Sequence, residues 1–201
     1  MQPRVGFVIT EHQDRLDETA TAAYARAAGV LAEASGGGSV TSHYLETLPA
    51  ADTLVLSGSW APWALHDRAA LDDLCERIEA DGRPVLGICA GMQLLARHAG
   101  GSHDHMADTR GEHGFTVVEI VAEHPALAGL PRRLRVFQEH GDEVTALPDE
   151  LELIGANTAS PIQAFISRRR PWWGTQFHPE RYERDMPDGR AILEAFFRSV
   201  E

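Results

Sequence analysis

The first hundred residues alternate between short β-rich apolar runs and segments of helical period, which restricts the chain to a few folds. "RVGFVIT" (4–10) reads as a strand, and "RLDETATAAYARAAGVLAEA" (15–34) as a helix with Leu16, Ala20, Tyr24, Ala27 and Leu31 along one stripe. After the punctuation "SGGGS" (35–39), "VTSHYLE" reads as a strand, and "TLVLSGS" (53–59) as an apolar strand running into a Gly/Ser turn. A loop carrying Trp60 and Trp63 leads to the helix "ALHDRAALDDLCERIEADG", which sets Leu71, Leu74, Cys75 and Ile78 on one face and stops at Gly82. "RPVLGIC" and "AGMQLLARHAGG" repeat the strand–helix unit. The alternation predicts an α/β fold with a mostly parallel central sheet flanked by helices. Beyond Gly114 the texture turns β-rich, in "FTVVEIVA", "RLRVFQEHGDEV", "LELIGANTA", "PIQAFISR" and "WWGTQFH", before a closing helix "DGRAILEAFFRSV". These strands are expected to meander and extend the sheet with antiparallel pairs.

Length and charge narrow the function classes. The 201 residues suit one well-buried domain spanning 1–201, with no repeat or linker to divide it. A formal charge of −12 gives no electrostatic footing for nucleic acid or anionic membrane. No apolar stretch approaches the roughly 18 residues of a membrane span, and the N-terminus lacks a signal-peptide core, so a cytoplasmic location is expected. The two cysteines, Cys75 and Cys89, exclude a disulfide framework and fit reduced thiols.

Cys89 stands apart from Cys75. Gly87-Ile88-Cys89-Ala90-Gly91 has the form G-x-C-x-G between an apolar strand and a helix, the setting of a nucleophile elbow. A thiol there would face the positive end of a helix dipole, and the N–H of Ala90 could hold an oxyanion. A buried, inert cysteine at a strand end fits the five residues equally well. "WWGTQFHPERYERD" breaks the tie: His178 supplies a base for the thiol, and Glu180 a partner to fix and stabilise the imidazole. Two residues apart in extended chain, both would project to one side, with Pro179 stiffening the link.

G-I-C-A-G-M-Q followed well downstream by G-T-Q-F-H-P-E resembles the class I (triad) glutamine amidotransferase family. "SGS" (57–59), "GEHGF" (111–115) and "EHGDEV" (139–144) resemble that family's oxyanion strand, its E-x-G segment and its S-H-G-D-x-V. The motifs are nearest to the glutaminase portion of GMP synthetases. The resemblance implies a flavodoxin-like fold, with Cys89 as nucleophile, His178 as general base and acid, and Glu180 as its orienting partner. It implies oxyanion donors among Gly58, Ser59 and Ala90, and contacts from Gln93 and from the backbone of Glu139, His140 and Gly141 to the amino-acid end of L-glutamine. It further implies hydrolysis through a γ-glutamyl thioester, no metal or organic cofactor, and delivery of ammonia to a synthetase on a separate chain.

Departures from the family pattern define the alternatives. Gly58-Ser59-Trp60 replaces the usual two glycines and proline, and Trp60 is expected to hold the turn's N–H groups out of position until a partner docks. Glu139 brings a carboxylate near a site that must bind an α-carboxylate, unless it points away. A γ-glutamyl hydrolase of the same fold, and a catalytically weak binding or regulatory module, are the competing readings. "SHDHMAD" (102–108) is expected to be a solvated loop rather than a metal site, "SRRRPWWG" a hairpin turn rather than a strand-binding patch, and the two tryptophans local packing.

Overall fold

The computed structural model describes residues 2–107 and 111–200. Its strands are β1 (Arg4–Ile9), β2 (Gly38–His43), β3 (Thr53–Leu56), β4 (Val85–Ile88), β5 (Ser102–His105), β6 (Glu112–Ile120), β7 (Arg133–His140), β8 (Asp142–Ala146), β9 (Leu151–Ala156), β10 (Ala164–Ser167) and β11 (Trp172–Thr175). Its α-helices are α1 (Glu18–Ala34), α2 (Arg68–Asp81), α3 (Ala90–His98) and α4 (Asp188–Ser199). A nine-stranded sheet runs in the order β2-β1-β3-β4-β11-β10-β9-β6-β7. The first five strands pair in parallel and the remaining pairs are antiparallel. Both expected halves are present, and the β-rich half extends the sheet.

The period-2 alternation of the parallel strands supplies two cores. Val5, Phe7, Val55, Leu86, Ile88 and Trp173 face α1 and α4, with Tyr24, Leu31, Ile192 and Phe196 packed on them. Val8, Leu54, Leu56, Val85 and Trp172 face α2 and α3, with Leu71, Leu74, Ile78 and Leu95. Cys75 belongs to this second core, where burial pushes its thiol up to about 12, as expected of packing. In α1 the buried stripe is Ala20, Tyr24, Ala28 and Leu31; Ala27 is only half-buried, and Leu16 precedes the helix.

Local signals set the helix ends. Asp17 and Asp67 cap α1 and α2 by accepting from the N–H groups of Ala20 and Ala70, and Gly82 ends α2 in the left-handed region at φ 74°. The expected hairpin across "SRRRPWWG" is present as β10 paired with β11. "SHDH" differs from the expected loop: it forms β5, antiparallel to β8, because its backbone and that of Asp142–Ala146 complete a small two-stranded sheet. Asp108 of that stretch lies outside the described residues.

Around the turn after β4 there is no room for side chains. A Cβ on Gly87 would stand 2.6 Å from the carbonyl carbon of Gly91, and one on Gly91 would stand 2.6 Å from Cβ of Leu56. Gly29, on the exposed side of α1, has nothing within 4 Å of such an atom. Gly91→Ala is therefore expected to destabilise the fold by about 1–3 kcal/mol through overpacking. Gly29→Ala should stabilise it by about 0.5–1 kcal/mol by raising helix propensity. Urea denaturation of both variants checks the pair of opposite signs.

Candidate active site

Four neighbouring parallel strands end on the same edge of the sheet, and each delivers one part of the site there, as parallel α/β sheets commonly do. Glu11 follows β1, Ser57-Gly58-Ser59 follow β3, Cys89 follows β4, and His178 lies three residues beyond β11. The β4–β11 register pairs Ile88 with Thr175, and the N–H of Cys89 donates to the carbonyl of Thr175 at 2.7 Å. Cysteine and histidine thus leave adjacent strands in the same direction.

Cys89 has φ 51° and ψ −107°, and among the described residues it alone combines a side chain with positive φ. Such a conformation costs of order 1–3 kcal/mol and persists only where its surroundings enforce it. Here the close contacts of Gly87 and Gly91 do so. The thiol sits at the N-terminus of α3, is 5% exposed, and receives the Nε2 donor of Gln176 at 3.6 Å.

His178 is held on both sides. Its N–H donates to the carbonyl of Phe137 at 2.8 Å, and Nδ1 lies 2.7 Å from Oε1 of Glu180. The expected extended link is not what brings the pair together: Pro179–Arg181 form a short 3-10 turn, since proline's fixed φ suits the first position of a helical turn. Burial works against a charge on His178, but Glu180 and the neighbouring Cys89 outweigh it and raise the pKa from 6.5 to about 10. A glycine is required opposite the ring, because a Cβ at Gly58 would stand 2.8 Å from Cε1 of His178 and 3.4 Å from Cβ of Cys89.

The Gly58–Ser59 peptide has a defined orientation. Its carbonyl accepts from the hydroxyl of Ser57 at 2.7 Å, and the hydroxyl of Tyr24 lies 3.1 Å from it. The trans peptide then directs the Ser59 N–H to the opposite side. Among the described residues the N–H groups of Ser59 and Ala90 donate to nothing. The Trp60 indole lies half-exposed against Tyr24, with ring centroids 5.4 Å apart, and Nε1 reaches Glu139 at 3.3 Å. The turn has support from within the chain, at the Gly58 carbonyl and at the Trp60 and Ala61 N–H groups.

A cavity of about 450 Å³ opens beside Cys89, lined in part by Ser59, Ala90, Gln93, Glu139, His140 and Gly141. All the residues expected at the site converge on it or on the ring of His178. Gln93 is buried and largely committed: its Nε2 donates to the Asp142 carbonyl at 3.0 Å and to Gln176 at 3.1 Å, while Oε1 accepts from Trp63 at 2.9 Å. One acceptor position on Oε1 is left. Trp63 is therefore part of the cavity wall as well as local packing, beside His66 and His103. Glu139 turns to the rim, where it pairs with Arg181 and Trp60, which removes its carboxylate as a free charge in the cavity.

Three residues were given no role by the sequence reading. Glu112 is buried 3.3 Å from Nε2 of His140 and accepts from Asn157 and Gln163, each at 2.7 Å. Burial opposes its charge, yet these partners hold its pKa below the ordinary carboxylate value. Its signal was the "GEHGF" segment, and that of Gln176 the G-T-Q-F-H-P-E run. Glu11, fully buried, follows β1 and had no motif to mark it. Among the described residues no group of three or more His, Cys, Asp or Glu side chains could hold a metal ion. No helix there is long and apolar enough to cross a membrane.

Comparison with known proteins agrees with this geometry. The family model "Glutamine amidotransferase class-I" matches residues 40–200. A glutamine-hydrolysing GMP synthase of Thermomicrobium roseum is 45% identical over 148 residues, 73% of this chain but only 26% of that protein. The glutamine-hydrolysing GMP synthase subunit of Thermoplasma acidophilum is 35% identical over 154 residues, covering 75% of this chain and 76% of the relative. A solved structure from the same organism, described as a GMP synthase subunit, superposes with a TM-score of 0.80 at 29% identity, over 98% of this chain and 94% of the other. The chain belongs to the class-I glutamine amidotransferase family.

Proposed function

We propose that the chain hydrolyses the side-chain amide of L-glutamine and supplies the ammonia to a synthetase on a separate chain. The observation that carries this is Cys89 on a positive-φ elbow beside the buried His178–Glu180 pair. In the proposed reaction the Cys89 thiolate attacks the amide carbon, forming a C–S bond and an oxyanion that accepts from the N–H groups of Ser59 and Ala90. The tetrahedral species collapses with cleavage of the C–N bond, and His178 gives its proton to the departing nitrogen. Water then attacks the γ-glutamyl thioester, His178 takes the water's proton, and the C–S bond breaks to release glutamate. The free acceptor position of Gln93 and the backbone of Glu139–Gly141 are suited to the amino-acid end of the substrate. No metal or organic cofactor enters this chemistry.

The named relatives include a glutamine-hydrolysing GMP synthase and a separate glutamine-hydrolysing GMP synthase subunit, which favours a nucleotide-forming synthetase as the acceptor of ammonia. A γ-glutamyl hydrolase would instead turn over γ-glutamyl peptides, with no change on adding a synthetase. Assays with glutamine and with γ-glutamyl peptides, each with and without the synthetase encoded beside this chain, separate the two.

Cys89→Ala is expected to abolish ammonia release from glutamine while leaving the circular dichroism melt in place, since only the thiolate forms the thioester. Retained hydrolysis in that variant contradicts the mechanism. Glu180→Gln should lower kcat less than His178→Ala, because it leaves the proton carrier present. It should also move the pH profile in a defined direction. The raised pKa keeps His178 protonated through neutral pH, so activity that needs its proton fades as pH climbs toward about 10. Without the Glu180 charge the ring deprotonates earlier, and the alkaline limb of the kcat profile shifts to lower pH. An unshifted limb would refute the assignment.

A further inference from the structure

We propose that Glu11, resting on the glutaminase reading above, is the positioning residue that fixes the oxyanion turn. Its carboxylate is 0% exposed and is ringed by donors rather than by a cation. Oε1 accepts from the N–H of its neighbour His12 at 2.8 Å, the hydroxyl of Ser59 at 2.9 Å and the N–H of Ala61 at 3.1 Å. Oε2 accepts from the N–H of Trp60 at 2.7 Å and the hydroxyl of Tyr24 at 3.2 Å. Three consecutive residues of the turn, Ser59, Trp60 and Ala61, are therefore tied to one buried carboxylate. Charge-assisted bonds of this kind are roughly twice as strong as neutral ones, and an acceptor-only group holds the turn through its donors alone.

The consequence reaches the catalytic peptide through Tyr24. The same hydroxyl that lies on Glu11 also lies 3.1 Å from the Gly58 carbonyl, so its one proton is shared between the two acceptors. Burial first, and then the charge of Glu11, raise the pKa of Tyr24, which keeps it a donor. With the Gly58 carbonyl pinned from one end and the Trp60 and Ala61 N–H groups from the other, the Ser59 N–H between them has one direction left. Glu11 thus does for this Gly58-Ser59-Trp60 turn what rigid backbone chemistry could not, since Ser59 and Trp60 impose no special φ. Glu11 touches neither the substrate cavity's thiol nor the ring of His178; it acts through the turn.

Glu11→Gln keeps the shape but replaces acceptor oxygen by a donor against the turn's N–H groups. In the folded variant kcat for glutamine should fall by about 10²–10³-fold, the loss associated with one misplaced oxyanion donor, with KM little changed. Alkylation of Cys89 by iodoacetamide, which builds no oxyanion, should keep its rate. Amide hydrogen exchange at Trp60 and Ala61 should become faster. Tyr24→Phe, which leaves four of the five donors on Glu11, should give a smaller kcat loss with the same pattern, and it serves if Glu11→Gln does not fold. Unchanged exchange and unchanged kcat overturn the proposal, as does a parallel fall in kcat and alkylation rate, which marks a general loss of structure. If the unmodified protein releases no ammonia from glutamine, the glutaminase reading fails instead, while the exchange rates still decide whether Glu11 holds the turn.

Discussion

The site depends on a contact between backbones. Gly91, in the first turn of α3, lies so near the end of β3 that a Cβ would meet both Cβ and the carbonyl of Leu56, and Gly87 is as close to Gly91 itself. That contact draws helix, β3 and β4 together and forces the chain between them through a turn in which Cys89 takes φ 51°. The strain is confined to one residue and is balanced by the packing on either side, including the bond from the Gly91 N–H to the Ser57 carbonyl at 3.1 Å. Ser57 is also the residue that accepts from Thr10 and donates to Gly58, so the elbow and the Gly58–Ser59 turn share a support.

Around this turn the electrostatics are arranged in layers. The His178–Glu180 pair lies directly beside the thiol, and burial makes its internal balance decisive for the proton on the ring. Behind the turn stands Glu11, a carboxylate satisfied by neutral donors. On the far wall Glu112 anchors His140, Asn157 and Gln163. Each buried carboxylate holds a different loop, and together they fix the cavity walls that small, polar loop residues would leave loose. The acidic rim residue Glu139 is neutralised by Arg181, whose guanidinium rests 3.8 Å from the centre of the Phe137 ring.

Much of this was legible in the chain. Short β-rich apolar runs placed β1, β3, β4 and β11, helical period placed α1 and α2, and Gly82 marked a C-terminus, because these patterns follow from local geometry and burial. The convergence of Cys89, His178 and Glu180 was legible because a G-x-C-x-G turn and a downstream H-P-E run are rare in combination. The 3-10 turn at Pro179–Arg181 was not, since proline permits both extended chain and the first position of a helical turn. "SHDH" read as a loop because its polar side chains hide a strand that is stabilised only by pairing with β8. Glu11 was invisible for a deeper reason: its role is set by residues 48 to 50 positions away, which only the parallel pairing of β1 with β3 brings near.

The central claim is that Cys89, activated by its elbow and by His178, forms a covalent bond to the side-chain carbonyl carbon of glutamine. Rapid acid quenching of the protein mixed with carbon-labelled glutamine, followed by peptide mapping, tests it most directly. The account predicts a hydroxylamine-labile γ-glutamyl adduct on the peptide containing Cys89 and none on the peptide containing Cys75. Ammonia release with no adduct on Cys89, or an adduct carried by another residue, would contradict it.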